Sequence, residues 1–356
     1  MELEHLSQGD GVLLGYTEAG LQKSTKNIFK KGSILFGKLR PYLRKYWLAP
    51  FDGVCSSEIW VLNSNEEVCA KEYLYRLISS ERFIQFANVS IGSKMPRADW
   101  NFVSLTPFAV PPMEEQRKIA EILGVWDEAI EKQSRLIEKL ELRKRALMQR
   151  LLTGRTRLSG FNTPWQKVKF KQIFEKKNIT LGANNTALEV LSVTKEGIVS
   201  QKEYFNKDIA SEDTSKYLLV EKGDLAMSGL NFWMGSCHIL TKYDKGIISP
   251  AYKVFKVSKI YNLPFMIHFV QSHTFKYSLV GCSVIGASIV RRNLDKEMLD
   301  EWCYLIPSLP EQKAIAEVLT TAEDEIATHR KKLDTLRLQK RGLMQQLLTG
   351  KTRVKI

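Results

Sequence analysis

Basic and aromatic side chains alternate in the segment FGKLRPYLRKYW, residues 36–47. Its basic and aromatic residues are Lys38, Arg40, Arg44, Lys45, Tyr42, Tyr46 and Trp47. Because Pro41 breaks the extended pattern, we predict two strands joined by a loop with a basic, aromatic tip. Guanidinium groups on such a tip can bind phosphates and guanine edges. A solvated edge strand protected by its charges is the alternative explanation.

A second segment, MSGLNFWMGSCH (residues 227–238), has the equivalent place later in the chain but contains no Lys or Arg. SKMPRADW (residues 93–100) and ASIVRRNLD (residues 287–295) form another pair with a common frame and different polar residues. Within each pair, the segments share an apolar pattern but differ in their polar residues. This predicts two contact surfaces that bind two different DNA half-sites. The predicted DNA-contacting residues are Lys38, Arg40, Tyr42, Arg44, Lys45, Lys94, Arg97, Asn231, Trp233, Arg291 and Arg292.

Catalytic motifs are absent from the sequence. It has no phosphate-binding loop, no glycine-rich turn for a dinucleotide or methyl donor, and no hydrolase or metalloprotease motif. Asp52 and Glu58 could act as nuclease carboxylates, but no Lys stands in a suitable relation to Glu58. Cys237 and His238, with His268 and His273, match no zinc spacing. We predict no catalytic residue, no metal and no cofactor bound by this chain.

The net charge and composition of the chain are compatible with a nucleic-acid partner but do not require one. The 356 residues carry a formal net charge of +14, which favours a polyanion without excluding a generally basic protein. Five cysteines without a C-x-x-C motif are typical of a reducing compartment. No apolar run is long enough for a membrane span, and the N-terminus lacks the form of a signal peptide. We therefore expect a cytoplasmic protein.

Much of the chain is written twice. Residues 115–157 and 311–353 match at 20 of 43 positions, far above chance, and both copies end in LLTG[RK]TR. Fainter similarity upstream predicts two pseudo-repeated mixed α/β domains, each followed by a long helix. We place the domains at residues 1–113 and 156–309, and the helices at residues 114–155 and 310–356. Residues 165–187, which we call the opening segment, have no counterpart before Met1. The first domain is therefore expected to lack this segment and to leave an unprotected sheet edge near residues 1–14.

Both helices carry an apolar repeat of 3.5 residues, which predicts a coiled coil. Its principal positions are Ile119, Leu123, Trp126, Ile130, Gln133, Ile137 and Leu140 in the first helix, and Ile315, Leu319, Ile326, His329, Leu333 and Leu336 in the second. Each helix lying on its own domain is the alternative. The chain must return from the end of one helix to the start of the other, which a compact domain does most simply if the pair is antiparallel. The fold class is thus α+β, with two domains joined by an antiparallel coiled coil.

At this point the sequence resembles the specificity subunits of type I restriction–modification systems. The resemblance rests on ILFGKLRPYLRK, APFDGVCSSE, FAVPPMEEQRKIAEIL, LIPSLPEQKAIAEVL and the two LLTG[RK]TR segments. It implies two target-recognition domains separated by two helices, in a subunit without catalytic activity. It also implies double-stranded DNA, two modification subunits and restriction subunits as partners, with S-adenosylmethionine, ATP and Mg²⁺ bound by those subunits. The absent opening segment departs from the family pattern.

Two other functions compete with this one. The chain could be a truncated or silent coiled-coil scaffold, or a decoy that binds modification subunits without reading DNA. Salt-dependent binding to duplex DNA separates that function from sequence recognition. A self-contained nuclease–methyltransferase would need motifs that the sequence lacks.

Overall fold

The computed structural model describes residues 1–18, 20, 25–89, 95–182, 188–205, 213–288 and 291–356, with the side chains of residues 285–288 and 291 excepted. These residues form two compact units. Unit 1 contains residues 1–136 together with residues 329–356, and unit 2 contains residues 137–328. The predicted Lys94 lies outside the described residues, as does the side chain of Arg291.

Unit 1 contains short strands, three short helices and parts of two long ones. Its strands are β1 (Lys26–Phe29), β2 (Ile34–Gly37), β3 (Tyr46–Leu48), β4 (Gly53–Ser56) and β5 (Ile59–Leu62). Its helices are α1 (Lys71–Ser79), α2 (Glu81–Ala87), α3 (Trp100–Val103) and the start of α4 (Met113–Leu151). The sheet has the order β3-β2-β5, all antiparallel, while β1 pairs with β4. All four residues of β2 are buried, as expected for a central strand.

Unit 2 repeats this plan with additions. Its strands are β6 (Gln166–Lys169), β7 (Phe174–Lys177), β8 (Leu191–Val193), β9 (Ile198–Ser200), β10 (Leu218–Glu221), β11 (Asp224–Ser228), β12 (Cys237–Ile239), β13 (Lys245–Ile248), β14 (Tyr252–Val257), β15 (Ser283–Ser288), β16 (Arg291–Leu294) and β17 (Cys303–Ile306). Its helices are α5 (Phe170–Ile173), α6 (Gln201–Phe205), α7 (Leu263–Phe269), α8 (His273–Gly281), α9 (Lys296–Glu301) and the start of α10 (Leu309–Leu348).

The main sheet of unit 2 has the order β12-β11-β14-β7, in which β12-β11-β14 corresponds to β3-β2-β5. The pairs β10–β13 and β1–β4 also correspond. This shared topology confirms the predicted repeat of two mixed α/β domains. The fourth strand, β7, belongs to the opening segment and has no counterpart in the described part of unit 1.

The helices α4 and α10 pack antiparallel within each unit. In unit 1 the first part of α4 meets the last part of α10, where Asp127 binds Lys340. In unit 2 the last part of α4 meets the first part of α10, where Lys144 binds Glu323. These ion pairs are equivalent in the repeat, since each joins a seam lysine to an acidic residue of the other helix. The predicted antiparallel coiled coil is confirmed.

Each helix begins beside the end of the other, at a buried carboxylate. Glu311 at the start of α10 accepts hydrogen bonds from Arg157, which follows α4, at 2.6 and 2.7 Å. Glu115 in α4 accepts hydrogen bonds from Arg353, which follows α10, at 2.7 and 2.5 Å. The repeated LLTG[RK]TR segment therefore supplies an arginine that neutralises the carboxylate at the start of the opposite helix. The glycines at its centre, Gly154 and Gly350, have positive φ and end the helices.

The glutamine after each carboxylate ties the helix to its own domain. Gln116 accepts from the Ala70 amide at 2.8 Å and donates to the Pro111 carbonyl at 2.8 Å. Gln312 likewise accepts from the Asn262 amide and donates to the Pro307 carbonyl. The P-x-x-x-E-Q pattern thus has a structural role: its Glu binds the other helix's tail, and its Gln binds the loop before α1 or α7.

The expected unprotected edge near residues 1–14 is wrong in its location. The terminal amine of Met1 donates to the Val54 carbonyl at 2.8 Å, and the Met1 carbonyl accepts from the Ser56 amide. Leu6 is buried and forms a bridge with Leu13. The N-terminal residues therefore protect β4, and among the described strands it is β5 that ends the three-stranded sheet. In the described parts of the chain, no helix has both the length and the hydropathy needed to cross a membrane.

Candidate nucleic-acid interface

The predicted basic tip of unit 1 is a tight turn between β2 and β3. A 3₁₀ turn at Pro41–Leu43 joins the strands, and the flanking Arg40 and Arg44 adopt left-handed φ values of 52° and 53°. Such backbone is unfavourable for residues other than glycine by about 1–3 kcal/mol, and it is found most often at functional sites. The side chains of Arg40 and Tyr42 are exposed at the tip.

A second predicted segment lies against this turn. The Arg40 amide donates to the Pro96 carbonyl at 2.8 Å, and Leu39 forms a bridge with Arg97. Arg97 in turn pairs with Glu58 at 3.1 Å. Residues 38–45 and 95–97 therefore form one surface, although about 50 residues separate them in the sequence.

Two of the predicted basic side chains in this turn are already engaged with the protein, and a third residue is partly buried. Lys45 donates to the Leu3 carbonyl at 2.5 Å, and Arg44 pairs with Glu81 at 2.6 Å. Lys38 is half-buried, with its backbone bonded to Glu58 and Ala98. The charge offered to a ligand by this turn is thus carried mainly by Arg40 and Lys38.

The corresponding tip of unit 2 is a 3₁₀ turn at Phe232–Met234, between β11 and β12. Gly229 is needed before it, since a Cβ there would lie 2.0 Å from the Ala251 carbonyl oxygen. Asn231 is exposed, and its amide donates to the Ser228 hydroxyl at 3.1 Å. As in unit 1, the turn presents polar and aromatic side chains at the end of the sheet.

Arg292, from the hairpin of β15 and β16, supplies the positive charge that this turn lacks. Its guanidinium lies 4.5 Å from the centre of the Trp233 ring, and its Nη1 donates to Ser283 at 3.2 Å. The Nε–H of Arg292 and the indole N–H of Trp233 are buried without a hydrogen-bond partner among the described residues. Buried donors without partners are costly, so these two N–H groups are unfavourable in the structure as it stands.

Sequence reasoning missed further lysines at this end of unit 2. Lys276 of α8 approaches the turn at Gly235, with its Nζ 3.8 Å from where a Cβ would lie. Lys253 of β14 has its pKa lowered by burial and by the ammonium groups of Lys176 and Lys296. The antiparallel pairing of β14 with β7 brings the strands of Lys253 and Lys176 together, although these residues are distant in sequence. Lys296 is itself paired with Asp300, whereas Lys253 and Lys176 are close enough for their like charges to interact, and such a local excess of positive charge favours an anionic ligand.

The residues considered for catalysis or metal binding have other partners. Asp52 pairs with Lys30 and accepts from the Lys31 amide, which lowers the pKa of its carboxyl. Burial raises the pKa of the Cys237 thiol to about 12, which disfavours the thiolate needed for a metal. His238 shares hydrogen bonds with the Lys195 carbonyl and Gln271. Within the described ranges, no three His, Cys, Asp or Glu side chains are grouped to hold a metal ion.

The predicted helix-pairing residues line the contact between α4 and α10. Gln133 and His329 face each other, with 2.8 Å between the Gln133 Nε2 and the His329 Nδ1 and 3.0 Å to the His329 carbonyl. The buried apolar positions on the seam are Ile119, Leu123, Ile137, Leu140, Ile315, Leu319, Ile326 and Leu333. Trp126, Ile130 and Leu336 are partly exposed on the same seam. The polar pair at the centre of this seam selects one register, since a shift of either helix would bury both groups without partners.

Comparison with known proteins agrees with this geometry. The family model described as type I restriction modification DNA specificity domain matches residues 7–142. The MjaVIII type I specificity subunit of Methanocaldococcus jannaschii is 27% identical over 85% of this chain and 75% of its own length. The EcoDI type I specificity subunit of Escherichia coli is 32% identical over 36% of this chain. Residues 7–142 thus match the specificity-domain family, and the relatives that the chain resembles are type I restriction–modification specificity subunits.

The coverage differs between these relatives. The match spans 30% of the length of the E. coli subunit. A chain of a solved type I restriction–modification system, whose complex assembly and conformational transition were described, has the same fold. It aligns with 99% of this chain and 91% of its own length, at a TM-score of 0.63 and 17% identity. Within this fold, the turns at Pro41–Leu43 and Phe232–Met234 occupy equivalent places in the two units but carry different side chains.

Proposed function

We propose that this chain is the DNA-recognition subunit of a type I restriction–modification complex and has no catalytic activity of its own. One observation carries the proposal. In each unit a tight turn meets a second segment distant in sequence, Arg40 with Pro96 in unit 1 and Trp233 with Arg292 in unit 2. The frames are equivalent, but the exposed groups differ. Two unlike contact surfaces on equivalent frames suit a bipartite, asymmetric DNA site.

The partners follow from the same proposal. We propose that the chain assembles with two modification subunits, which bind S-adenosylmethionine and methylate adenine. Restriction subunits then join and use ATP and Mg²⁺. The exposed apolar residues of the long helices, among them Val125, Leu136 and Leu142, provide surface for such contacts.

The test is methylation by a reconstituted complex. The chain purified with type I modification subunits of the same genome is expected to methylate adenine within one split sequence, located by sequencing the methylated DNA. The chain alone with S-adenosylmethionine should transfer no methyl group. If the chain assembles with modification subunits but the complex shows no salt-dependent binding to duplex DNA, the chain is instead a scaffold or decoy.

A further inference from the structure

A cleft of about 690 Å³ lies in unit 1, between the last part of α10 and the start of α2. One wall is a single stripe of α10, whose lining residues recur every three and four positions from Arg337 to Thr349. This stripe is about 18 Å long, at roughly 1.5 Å per residue. Residues 8–10, Arg44 and the first residues of α2 form the opposite wall. The volume of the cleft is that of a small-molecule site.

The two ends of the cleft differ in chemistry. Arg337, Lys340 and Arg341 line it at the start of the stripe on α10. Further along the helix the lining is apolar, where Leu348 and the ring of Phe108 belong to one packed cluster. A ligand that carries negative charge at one end and a flat apolar group at the other matches this arrangement.

The guanidinium of Arg337 uses only half of one hydrogen-bonding edge. Its Nη2 donates to the Asp10 carboxylate at 3.2 Å, while its Nε–H is buried without a partner among the described residues. Arg157 and Arg353 each use the complete edge, since Nε and Nη2 both donate to one carboxylate. An oxyanion that replaces Asp10 would complete the edge of Arg337, and phosphate oxygens have the required geometry.

Positive charge exceeds negative charge in the cleft. Its lining contains five Lys and Arg residues but three Asp and Glu residues. Lys340 shares the carboxylate of Asp127 with Arg76, so one acid serves two cations. Arg82 donates to the Pro107 carbonyl, and Arg341 is exposed. Such an excess of cations in a concave site favours an anionic ligand.

The repeated fold does not require these cations. At the matching positions of unit 2, Glu141 replaces Arg337 and Thr274 replaces Arg82. The two long helices nevertheless pack antiparallel in both units, through equivalent ion pairs. Packing of the shared frame therefore does not account for the charges of this cleft.

We propose that the cleft of unit 1 binds a nucleoside phosphate, with its phosphates at Arg337 and Arg341 and its base against Phe108 and Leu348. A phosphate takes the place of the Asp10 carboxylate and accepts from both Nε and Nη2 of Arg337. The base supplies the flat apolar group that the other end of the cleft accommodates. Arg40 and Tyr42, at the tip of the turn proposed for DNA, do not line the cleft. This site therefore goes beyond the proposed function.

Calorimetric titration of the full chain with ADP and with CDP tests the proposal. The titrations are made in about 150 mM KCl, which screens weak contacts with a basic surface. We expect one saturable site for at least one of the two nucleotides. Pyrophosphate and the matching nucleoside should each bind about tenfold more weakly or worse, because each fills only one end of the cleft.

Two substitutions locate the site. Arg337→Lys keeps the charge but not the paired donors, so it should weaken nucleotide binding about tenfold. Arg341→Glu should weaken it at least as much, and Arg341 is exposed, so the fold does not depend on its packing. Lys332→Ala, at an exposed position of α10 outside the cleft, is the matched control and should leave the affinity unchanged.

Four results overturn the proposal. Neither nucleotide shows saturable binding, or both variants bind as tightly as the unsubstituted chain. Pyrophosphate that binds as tightly as ADP and CDP would mean that the cleft holds no base. Displacement of the nucleotide by a short DNA duplex, with duplex binding also weakened by Arg341→Glu, would assign the cleft to the DNA surface. In each case methylation by the reconstituted complex still tests the proposed function separately.

Discussion

Single charged residues decide how the ends of the long helices are held. Glu115 and Glu311 are 2% and 0% exposed, and each would be a buried charge without its arginine. Arg157 has further support in unit 2, because it donates to the Thr163 carbonyl and lies over the Trp165 ring. Arg353 has no equivalent tryptophan among the described residues, and its side chain is 66% exposed against 27% for Arg157. The C-terminal tail is held by this ion pair and by Val354, which packs against the core cluster around Ile119 and Leu347.

Arg353→Ala should loosen this tail and destabilise unit 1. The hydrogen bonds from Arg353 hold the pKa of the Glu115 carboxyl below its usual range. A lowered folded-state pKa contributes stability above the unfolded value, and this stability is lost as the pH falls through the folded value. We expect Arg353→Ala to lower the urea midpoint at pH 7, and the difference from wild type to shrink below about pH 4. Lys351→Ala, in the same tail, is the control. A difference that persists at low pH would contradict the ion-pair explanation.

Arg40→Ala should weaken DNA binding by about 1–3 kcal/mol if the guanidinium contacts a guanine edge, with relaxed selectivity at one base. Arg40→Lys keeps the charge but not the paired donors, so it should restore the salt dependence without the selectivity. The affinity of the complex is measured for duplex DNA that contains the sequence it methylates, and for duplexes in which each base pair of that sequence is changed in turn. Lys132→Ala, on the exposed face of α4, should change nothing. If both Arg40 variants bind DNA with unchanged affinity, this turn does not contact DNA and its charges only protect a solvated edge strand.

At the scale of elements, the helices were predictable and the sheets were not. The 3.5-residue repeat and the LLTG ends are local signals, and α4 and α10 begin at Met113 and Leu309, within one residue of the predicted starts. Strand pairing is non-local, so the sequence could not place β7 beside β14 or Arg292 over Trp233. For the same reason it could not show that Lys45 is bound to the Leu3 carbonyl rather than exposed. The sequence predicted the DNA-contacting segments one by one. The contacts between these segments were visible only in the folded structure.

Replacing Gln133 and His329 together by Leu tests the polar pair of the coiled coil. A hydrogen-bonded polar pair fixes register but stabilises less than apolar packing. We expect the double variant to have a higher melting temperature, corresponding to about 1 kcal/mol more free energy of unfolding. The two helices should at the same time lose their single register. Gln133→Leu alone leaves His329 without its partner and should lower the melting temperature. Cysteine crosslinking at flanking seam positions measures the register. A double variant with lower stability and unchanged crosslinks would show that the pair contributes more than specificity.

At the scale of the whole molecule, we expect helix length to set the number of base pairs between the two half-sites. Gln133 faces His329, so seven residues inserted after Gln133 and seven after Thr328 keep every contact of the seam on both sides. Each helix becomes about 10 Å longer, at roughly 1.5 Å per residue. At about 3.4 Å per base pair this corresponds to near three more base pairs. Three base pairs also turn the second half-site by roughly 100° about the DNA axis.

A complex that contains the lengthened helices should therefore give one of two results. It methylates unchanged half-sites separated by a longer gap, or it loses methylation while its fold stays intact. Sequencing of methylated DNA distinguishes these results, and circular dichroism checks the fold. A matched control inserts three residues at the same two places, which breaks the heptad phase and should unfold the pair. Methylation that persists at the original spacing after the seven-residue insertion would mean that some other part of the complex measures the distance between half-sites.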